Sequence, residues 1–268
     1  MVDKLYTIRM ILPDKFKIRI SHFAYLTIIH DCKIFKCVKK DGSPNISSFI
    51  NHLLPTLLKK REALHKKIKH KLINSKVLKP IASKDSNYLL GELETILDIP
   101  ISTDYLLDEL SEEIWIRPDK NTNLMYEKIW NIELAKYGLD FSQYMRFLLN
   151  DYCSLQQFKR EELFFYKTLE YVRKITQKKN AIDVKIEDRY LTILPIEFYS
   201  DYLNTDMTYL IYAIEWDSSH IYITNLVDID VVQLNDTLYN LNQKQIDVAY
   251  DFIYLKKDVA NTSVLNID

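Results

Sequence analysis

The chain has 268 residues, of which 47% are hydrophobic and 27% are charged, and its formal net charge is −1. These values exclude a disordered chain, and no apolar run reaches the length of a membrane-spanning helix. The charged N-terminal segment does not resemble a signal peptide, and three cysteines without a paired framework suit a reducing compartment, so we expect a cytoplasmic protein. Only three glycines occur, which excludes a glycine-rich dinucleotide fingerprint or phosphate loop.

The small net charge conceals an asymmetry along the sequence. Residues 1 to 79 contain 18 lysines and arginines but only five acidic residues, a net charge of +13. The remaining residues carry 18 basic and 32 acidic side chains, a net charge of −14. A cationic first third favours a polyanion-binding module joined to a region that does not bind polyanions. The alternative interpretation is a basic face that packs against an acidic face of the same molecule.

The first predicted unit is a strand followed by two helices. Residues Lys15 to Ile20 alternate between cationic and apolar side chains, which predicts a half-buried strand. A helix is predicted from about His22 to Lys39, because apolar residues recur there at helical spacing. A second helix is expected after the sequence DGSPN, with Asn45 or Ser47 as its N-cap. Its continuation from Lys59 to Lys71 is strongly basic and is also predicted to be helical.

A second unit of the same kind is predicted after a connector that covers residues 80–110. Its strand is expected at Glu113 to Arg117 and its first helix near Asn121 to Tyr137. Its second helix is expected to begin near Ser142. The helical sequence from Ser154 to Asn180 then leads into a different type of domain.

The rest of the chain is predicted to be strand-rich. Five short β-branched and tyrosine-rich segments, separated by Asp, Ser and Asn turns, follow Ala181 and predict a small barrel. Leu238 to Lys257 is predicted to be a C-terminal helix whose apolar face needs a partner, which favours a homodimer. The predicted fold class is α+β. The predicted domains are a first unit at 1–79, the connector at 80–110, a second unit with a linker helix at 111–165, a barrel at 166–234, and a C-terminal helix and tail at 235–268.

The strand-helix-helix pattern recurs about 96 residues along the sequence. Gly42 precedes ISSFINHLL and Gly138 precedes FSQYMRFLL, so a serine, an aromatic residue and an apolar pair occupy matching positions. This repeat resembles the ribbon-helix-helix family, in which two such units pair their strands into a ribbon. The resemblance implies that the ribbon enters the DNA major groove and that the start of each second helix holds a backbone phosphate. Both copies would come from one chain.

The resemblance also implies which residues contact nucleic acid. They lie on the exposed face of each strand and at the helix starts. A glutamate and a tryptophan on the second strand depart from the cations expected of base-reading residues. Either the first strand dominates an asymmetric site, or the second half is a structural partner only. The implied residues are Lys15, Lys17 and Arg19 on the first strand, Glu113, Trp115 and Arg117 on the second, and Ser47, Ser48 and Ser142 at the helix starts.

The strand-rich region resembles a WYL domain, a small Sm-like or SH3-like barrel that often follows a DNA-binding module in bacterial regulators. The matching sequences are YVRKITQKKNAIDVKI, YLTILPIEFY, TYLIYAIEW and HIYITNLVDIDVVQL. The family's late strand carries arginines that bind anionic ligands, whereas this chain has Ile223 and Leu226 there. Anion sensing is therefore not expected. The remaining candidate ligand contacts, which core packing would equally explain, are Tyr209, Tyr212, His220 and Tyr222.

Three further patterns in the sequence bear on function. The basic tract that begins with Lys59, Lys60 and Arg61 either tracks a phosphate backbone or forms an ordinary solvated helix face. The histidines and cysteines near the N-terminus fit no standard zinc spacing, so no metal site is expected. No nucleophile elbow or other catalytic motif occurs, so neither an enzymatic activity nor a cofactor is predicted.

Three hypotheses follow from these patterns. The first is a bacterial DNA-binding transcriptional regulator that reads double-stranded DNA and carries a WYL-like sensor or dimerisation domain. The second is a single-stranded RNA or DNA binder that serves as an accessory to a CRISPR or other phage-defence system, with Trp115 stacking on bases. The third is a protein-interaction module that binds no nucleic acid.

Overall fold

The computed structural model describes residues 12–73, 112–133, 140–186, 188–201, 206–214, 217–238, 241 and 243–258. The chain divides into two compact units, Met1–Ser154 and Leu155–Asp268. Helices and antiparallel strands occur in both units, so the fold class is α+β, as predicted. The predicted connector at 80–110, together with Gly138, lies outside the described residues.

The first unit combines one pair of strands with helices. Strand β1 pairs antiparallel with β2, and Ile18 lies opposite Ile114 in the register. Two strands that are far apart in the sequence therefore form a two-stranded ribbon within one chain. The elements are β1 (Phe16–Ile20), α1 (His22–Ile34), α2 (Ile46–Ile73), β2 (Glu112–Ile116), α3 (Asn123–Lys128), a π-helical turn (Ile129–Glu133) and α4 (Phe141–Cys153).

The turn between α1 and α2 explains why α1 is shorter than predicted. The helix ends at Ile34, and Lys36 has a left-handed backbone with φ 57°. The backbone then folds back through an isolated bridge between Val38 and Pro44. Gly42 lies in this turn with φ 79°, a left-handed backbone that glycine adopts without a side-chain clash.

Helix α2 is a single helix of 28 residues that continues through Pro55 and includes the basic tract. Its N-cap is Asn45, whose Oδ1 accepts a hydrogen bond from the Ser48 backbone N–H at 3.3 Å. The predicted helical continuation is therefore confirmed. The helix near Asn121 to Tyr137 is instead only six residues long before it widens into the π-helical turn.

The ribbon and the helices share one core in the first unit. Phe16 stacks on Phe141 at a centroid distance of 4.0 Å and on Tyr126 at 5.6 Å. Phe49 of α2 meets Tyr152 of α4 edge to face at 6.0 Å. Because the alternate residues of β1 and β2 are buried against these helices, only the opposite face of the ribbon reaches solvent.

The second unit begins with two helices and continues with a five-stranded antiparallel sheet. The long helical sequence predicted after Ser154 is divided into two helices at Phe165. The elements are α5 (Gln157–Phe164), α6 (Tyr166–Lys178), β3 (Asn180–Ile186), β4 (Arg189–Asp201), β5 (Met207–Ile214), β6 (Asp217–Asn225), a 3₁₀ turn (Leu226–Asp228), β7 (Ile229–Leu238) and α7 (Gln243–Asp258).

The predicted barrel is wrong, because the described strands form an open sheet in the order β6-β5-β4-β3-β7. Each face of this sheet carries its own core. Leu169, Val172 and Ile175 of α6 pack on one face, whereas Ala249 and Phe252 of α7 pack on the other. A closed barrel has a single interior, so a sheet with a helix on each face has no reason to close.

The C-terminal helix α7 begins at Gln243, five residues later than predicted, because strand β7 extends to Leu238. Its apolar face packs on β4 and β6 of the same sheet, and Ala249 is fully buried there. The partner that this face was predicted to need is therefore supplied by the same chain. Within the described part of the chain, no helix has both the length and the hydropathy to cross a bilayer.

Candidate nucleic-acid interface

The solvent face of the ribbon and its flanks bring together six of the residues expected to contact nucleic acid. Side chains alternate along both strands, so Phe16, Ile18 and Ile20 point into the core while their neighbours are exposed. Lys17 lies opposite Trp115, and Arg19 lies opposite Glu113. The exposed residues of this face, together with those that flank the strands, are Lys15, Lys17, Arg19, Glu113, Trp115 and Arg117.

Two of the three cations on the first strand are held by one carboxylate. Glu113 Oε2 lies 2.7 Å from Lys17 Nζ, and its Oε1 accepts a hydrogen bond from Arg19 Nε at 3.0 Å. The Lys17 and Arg19 hydrogen bonds hold the pKa of Glu113 below its ordinary value. The exposed face is therefore less cationic than the sequence of β1 alone indicates.

Trp115 is the large apolar side chain on this face. It is 49% exposed, and Lys15 Nζ lies 4.4 Å from its ring centroid. Lys17 Nζ lies 5.9 Å from the same ring. This is a cation–π arrangement, in which two positive charges lie over the Trp115 ring.

A chain of hydrogen bonds attaches the ribbon to α2. The Ser47 hydroxyl accepts from the Arg117 backbone N–H at 2.8 Å and lies 3.2 Å from the Arg117 carbonyl oxygen. Asn51 Nδ2 donates to the same carbonyl at 2.8 Å, and Asn51 Oδ1 accepts from the Tyr126 hydroxyl at 2.9 Å. Ser47 was predicted to hold a phosphate, but its hydroxyl is occupied by the end of β2. Ser48, the next residue, is exposed.

The start of α4 differs from that of α2 in its charge. Asp140 is the N-cap, and its carboxylate accepts from the Gln143 backbone N–H at 2.7 Å, while the Gln143 side chain accepts from the Asp140 N–H. Ser142 lies inside the first turn, 3.5 Å from Arg146 Nη2. Because an acidic cap already complements the positive end of the helix, a phosphate is less favourable here than at α2.

Arg146 fixes the other end of the ribbon. It is only 6% exposed, and its Nε donates to the Arg19 backbone carbonyl at 3.0 Å. The backbone that carries the exposed Arg19 side chain is thus held from below by a buried arginine. The core of the unit therefore fixes the Arg19 backbone, whereas the Arg19 side chain is largely exposed and contacts Glu113.

The basic tract of α2 has two kinds of residue. Lys59 and Lys60 are exposed. Arg61 instead lies over the rings of Tyr144 and Phe147, at 5.4 and 4.8 Å from their centroids. Arg61 therefore packs α2 against α4. Of the three residues predicted to follow a phosphate backbone, only Lys59 and Lys60 are exposed.

Arg117 lies at the end of the ribbon beside an open cavity of about 450 Å³. The cavity mixes apolar, acidic and basic groups, so its lining has no single charge preference. The lining residues are Leu12, Pro13, Asp14, Arg117, Pro118 and Asn123.

The predicted ligand contacts of the second unit do not form one cluster. Tyr212 and Tyr222 lie opposite each other on β5 and β6 and stack at 5.7 Å on the face covered by α6. Tyr209 packs with the core on the opposite face, under α7. His220 is half-buried. The tyrosine pair is part of the core, as the packing alternative expected.

No group of three or more histidine, cysteine or acidic side chains lies close enough to hold a metal ion within the described ranges. Cys32, Cys37 and Cys153 are free thiols. Burial raises the pKa of Cys32, so this thiol is unreactive at neutral pH.

Sequence reasoning missed the residues that position the ribbon. Asn51 and Arg146 are polar residues that the sequence analysis did not place in the core, yet both are buried. Asp31 of α1 is likewise buried, and its Oδ2 accepts from the Tyr152 hydroxyl at 2.6 Å. A polar residue at the helical spacing of the neighbouring apolar residues was the available signal in each case.

The comparisons with known proteins give a match to a solved structure. No family model matches the chain, and no curated protein matches it, so neither the ribbon-helix-helix nor the WYL resemblance is confirmed by a family. A solved structure described as a CRISPR Cas-related protein is similar in fold, with a TM-score of 0.62 and 16% sequence identity. The similarity covers 91% of this chain and 71% of that one. At this identity, the match shows that the two chains share a fold.

Proposed function

We propose that this chain binds double-stranded DNA through the β1–β2 ribbon and acts as a regulator in a CRISPR-associated system. The observation that carries the proposal is the ribbon itself. Its apolar residues are buried on one face, and its exposed face carries Lys15, Lys17 and Arg19 together with Arg117. The Cas-related description of the structural neighbour supports the association with such a system.

A two-stranded ribbon has the dimensions needed to enter the major groove, which is about 12 Å wide. There, Arg19 and Lys17 can donate to the O6 and N7 acceptors of guanine. The buried Arg146 and Asn51 hold the two ends of the ribbon, so the reading side chains are placed in advance of binding. The exposed Lys59 and Lys60 of α2 add phosphate contacts outside the groove.

The second unit has a separate role in this proposal. Both faces of its sheet are covered by helices, so it presents edges and loops instead of a flat binding face. We assign it to sensing or to dimerisation, with Tyr209, Tyr212, His220 and Tyr222 as the residues to be tested for ligand contact. A homodimer is also proposed, but it no longer rests on the apolar face of α7, which packs on its own sheet.

Trp115 favours a second candidate function, the binding of single-stranded RNA or DNA. Its ring is half exposed and lies beside Lys15 and Lys17. Such a platform can stack on an unpaired base while the cations neutralise the adjacent phosphates. A tryptophan is less suited to reading base edges in a duplex, which is why this alternative is retained.

Binding of the full chain to random duplex DNA and to single-stranded RNA, measured across a salt series, tests the proposal. A duplex preference with steep salt dependence is expected. Arg19→Ala should weaken binding to a selected duplex by about 1–3 kcal/mol. Arg189→Ala, which removes an exposed arginine of the second unit, is the matched control and should leave affinity unchanged. Equal binding by wild type and Arg19→Ala would contradict the assignment of the ribbon.

A further inference from the structure

On the exposed face of the ribbon, one carboxylate forms ion pairs with two cations of the same face. Glu113 contacts Lys17 Nζ at 2.7 Å and Arg19 Nε at 3.0 Å, and all three side chains reach solvent. We propose that Glu113 is the specificity-determining residue of the ribbon, because it competes with DNA phosphates for Lys17 and Arg19 and thereby suppresses binding to unspecific duplex. The inference rests on the proposed function, since it requires that the ribbon binds DNA.

The register of the ribbon shows how unusual this carboxylate is. The pairing is symmetrical about Ile18 and Ile114, which lie opposite each other. Lys17 and Glu113 therefore occupy equivalent places on the two strands, each directly before the central isoleucine. Where the first strand presents a cation, the second presents an acid, so the two halves of the ribbon cannot read the same sequence. The preferred DNA site is asymmetric.

The ion pairs are suited to exchange with a ligand. Lys17 and Arg19 are 44% and 63% exposed, and Glu113 is 38% exposed, so solvent screens the pairs and makes them weak. A DNA group in the right place can therefore displace the carboxylate. A phosphate near Lys17 or Arg19, by contrast, is repelled by the negative charge of Glu113. This repulsion reduces the binding free energy of a phosphate contact, which carries no sequence information.

The chemistry of the opposed pair indicates which base pair permits the exchange. Arg19 and Glu113 lie directly across the ribbon from each other. Arginine donates to the O6 and N7 atoms of guanine, and a carboxylate accepts from the N4 amino group of cytosine. Together they match the donor and acceptor pattern of a G·C pair. At such a pair the carboxylate gains a hydrogen bond when Arg19 leaves it, and at a bare phosphate it gains none.

Glu113→Gln tests the inference, because it removes the charge and keeps the shape. Random duplexes of about 20 base pairs are titrated with the full chain at about 50 and 200 mM salt. The salt slope is the slope of log affinity plotted against log salt concentration. If Lys17 and Arg19 are both released to contact phosphate, the salt slope should steepen by about 1.8. The gain in affinity over wild type should then be about tenfold larger at the lower salt concentration than at the higher one. Glu112→Gln is the matched control: it removes the same charge from the same strand, where Glu112 contacts His22 and neither ribbon cation.

A second variant divides the effect between the two cations. In a Lys17→Gln background, Glu113→Gln releases Arg19 alone, so the slope should steepen by about 0.9 instead of 1.8. Base preference is measured with duplexes drawn from G and C only or from A and T only. Wild type should prefer the G·C pool, and Glu113→Gln should reduce that preference about fivefold or more.

The outcomes separate this inference from the proposed function. Duplex binding by wild type with an unchanged slope in Glu113→Gln overturns the role of Glu113 and leaves the ribbon as the binding element. An equal gain in Glu112→Gln also overturns it, since the effect is then one of net charge. If neither wild type nor Glu113→Gln binds duplex at the lower salt, the proposed function itself is wrong.

Discussion

The two units differ in whether their β-strands leave a face open to solvent. The ribbon of the first unit buries one face on α2, α3 and α4 and leaves the other face to solvent, where its charged residues and Trp115 lie. The sheet of the second unit is covered by α6 on one face and by α7 on the other. A sheet can present a row of side chains to a ligand only from an uncovered face. This difference supports the proposal that the ribbon of the first unit, and not the sheet of the second, contacts nucleic acid.

The largest expected effect is on the buried polar contacts that hold the ribbon. Asn51→Ala leaves the buried Tyr126 hydroxyl without this partner and removes one of two donors to the Arg117 carbonyl, which keeps the Ser47 hydroxyl at 3.2 Å. A buried hydroxyl that loses its partner costs about 2 kcal/mol and the lost half-buried hydrogen bond about 1 kcal/mol, so the free energy of unfolding of the first unit should fall by about 3 kcal/mol. Denaturant unfolding measures this. Asn123→Ala, which removes only a half-buried contact with Glu127, should cost under about 1 kcal/mol, and an equal loss in both variants would contradict the role of Asn51.

The second expected effect is a loss of stability of the second unit as the pH rises. Glu161 is fully buried, and its Oε2 accepts from the Thr208 backbone N–H at 2.6 Å. Burial raises the pKa of this carboxyl to about 7, while the Thr208 hydrogen bonds and the backbone N–H of Val227 oppose the rise and the neighbouring Glu162 adds to it. A raised pKa in the folded state means that the folded protein binds the proton more tightly, so stability is fully present below the ordinary carboxyl pKa and is lost as the pH rises through 7.

Unfolding measured from about pH 5 to pH 8 tests that statement. Wild type should lose about 2.5 kcal/mol of stability in the second unit over this range, and Glu161→Gln should remove that pH dependence. Glu162→Gln is the control at the neighbouring, less buried carboxylate and should retain most of it. The same pH dependence in wild type and in Glu161→Gln would show that another group titrates. The ribbon has no comparable buried carboxylate, so duplex affinity should not follow this titration.

A smaller effect distinguishes the two candidate ligands of the ribbon. Trp115→Ala removes the half-exposed ring beside Lys15. If single strands bind by stacking, their affinity should fall by about 2 kcal/mol, whereas duplex affinity should change by less than about 0.5 kcal/mol. Tyr190→Ala, at an exposed aromatic residue of the second unit, is the control. A larger loss for duplex than for single strands would exclude the stacking role.

The smallest effect concerns the basic tract of α2. Lys60→Gln should reduce the salt slope of duplex binding by about 0.9 and weaken all sequences equally, since a phosphate contact carries no base information. Lys167→Gln removes an exposed lysine of the second unit and should not change the slope. If both variants give the same slope as wild type, the tract is an ordinary solvated helix face.

Much of the secondary structure could be predicted from the sequence, because it depends on local patterns. The alternation in FKIRI and EEIWI placed both strands to within a residue or two of their observed bounds, and each of the five later strands was expected in its order. The closure of the sheet could not be predicted. Strands buried on both faces and strands of a small barrel have similar apolar compositions, and only the positions of α6 and α7 decide between them.

The sequence predicts which side chains lie at the candidate site, but it does not predict the ion pairs between them. Alternation alone places Lys15, Lys17 and Arg19 on one face. That Glu113 contacts two of them follows from the register between strands almost a hundred residues apart, which no local pattern fixes. The same limit applies to Ser47, whose hydroxyl is occupied by β2 because of a long-range contact.

The pairing of β1 with β2 inside one chain also has a consequence for assembly at low copy number. A ribbon built from two separate chains falls apart on dilution, because its formation is a second-order reaction. Here the two strands share a backbone, and their local concentration is set by the chain and does not depend on how many molecules are present. A single molecule in a cell would carry a complete ribbon, and the fraction of folded ribbon would not change with the level of expression.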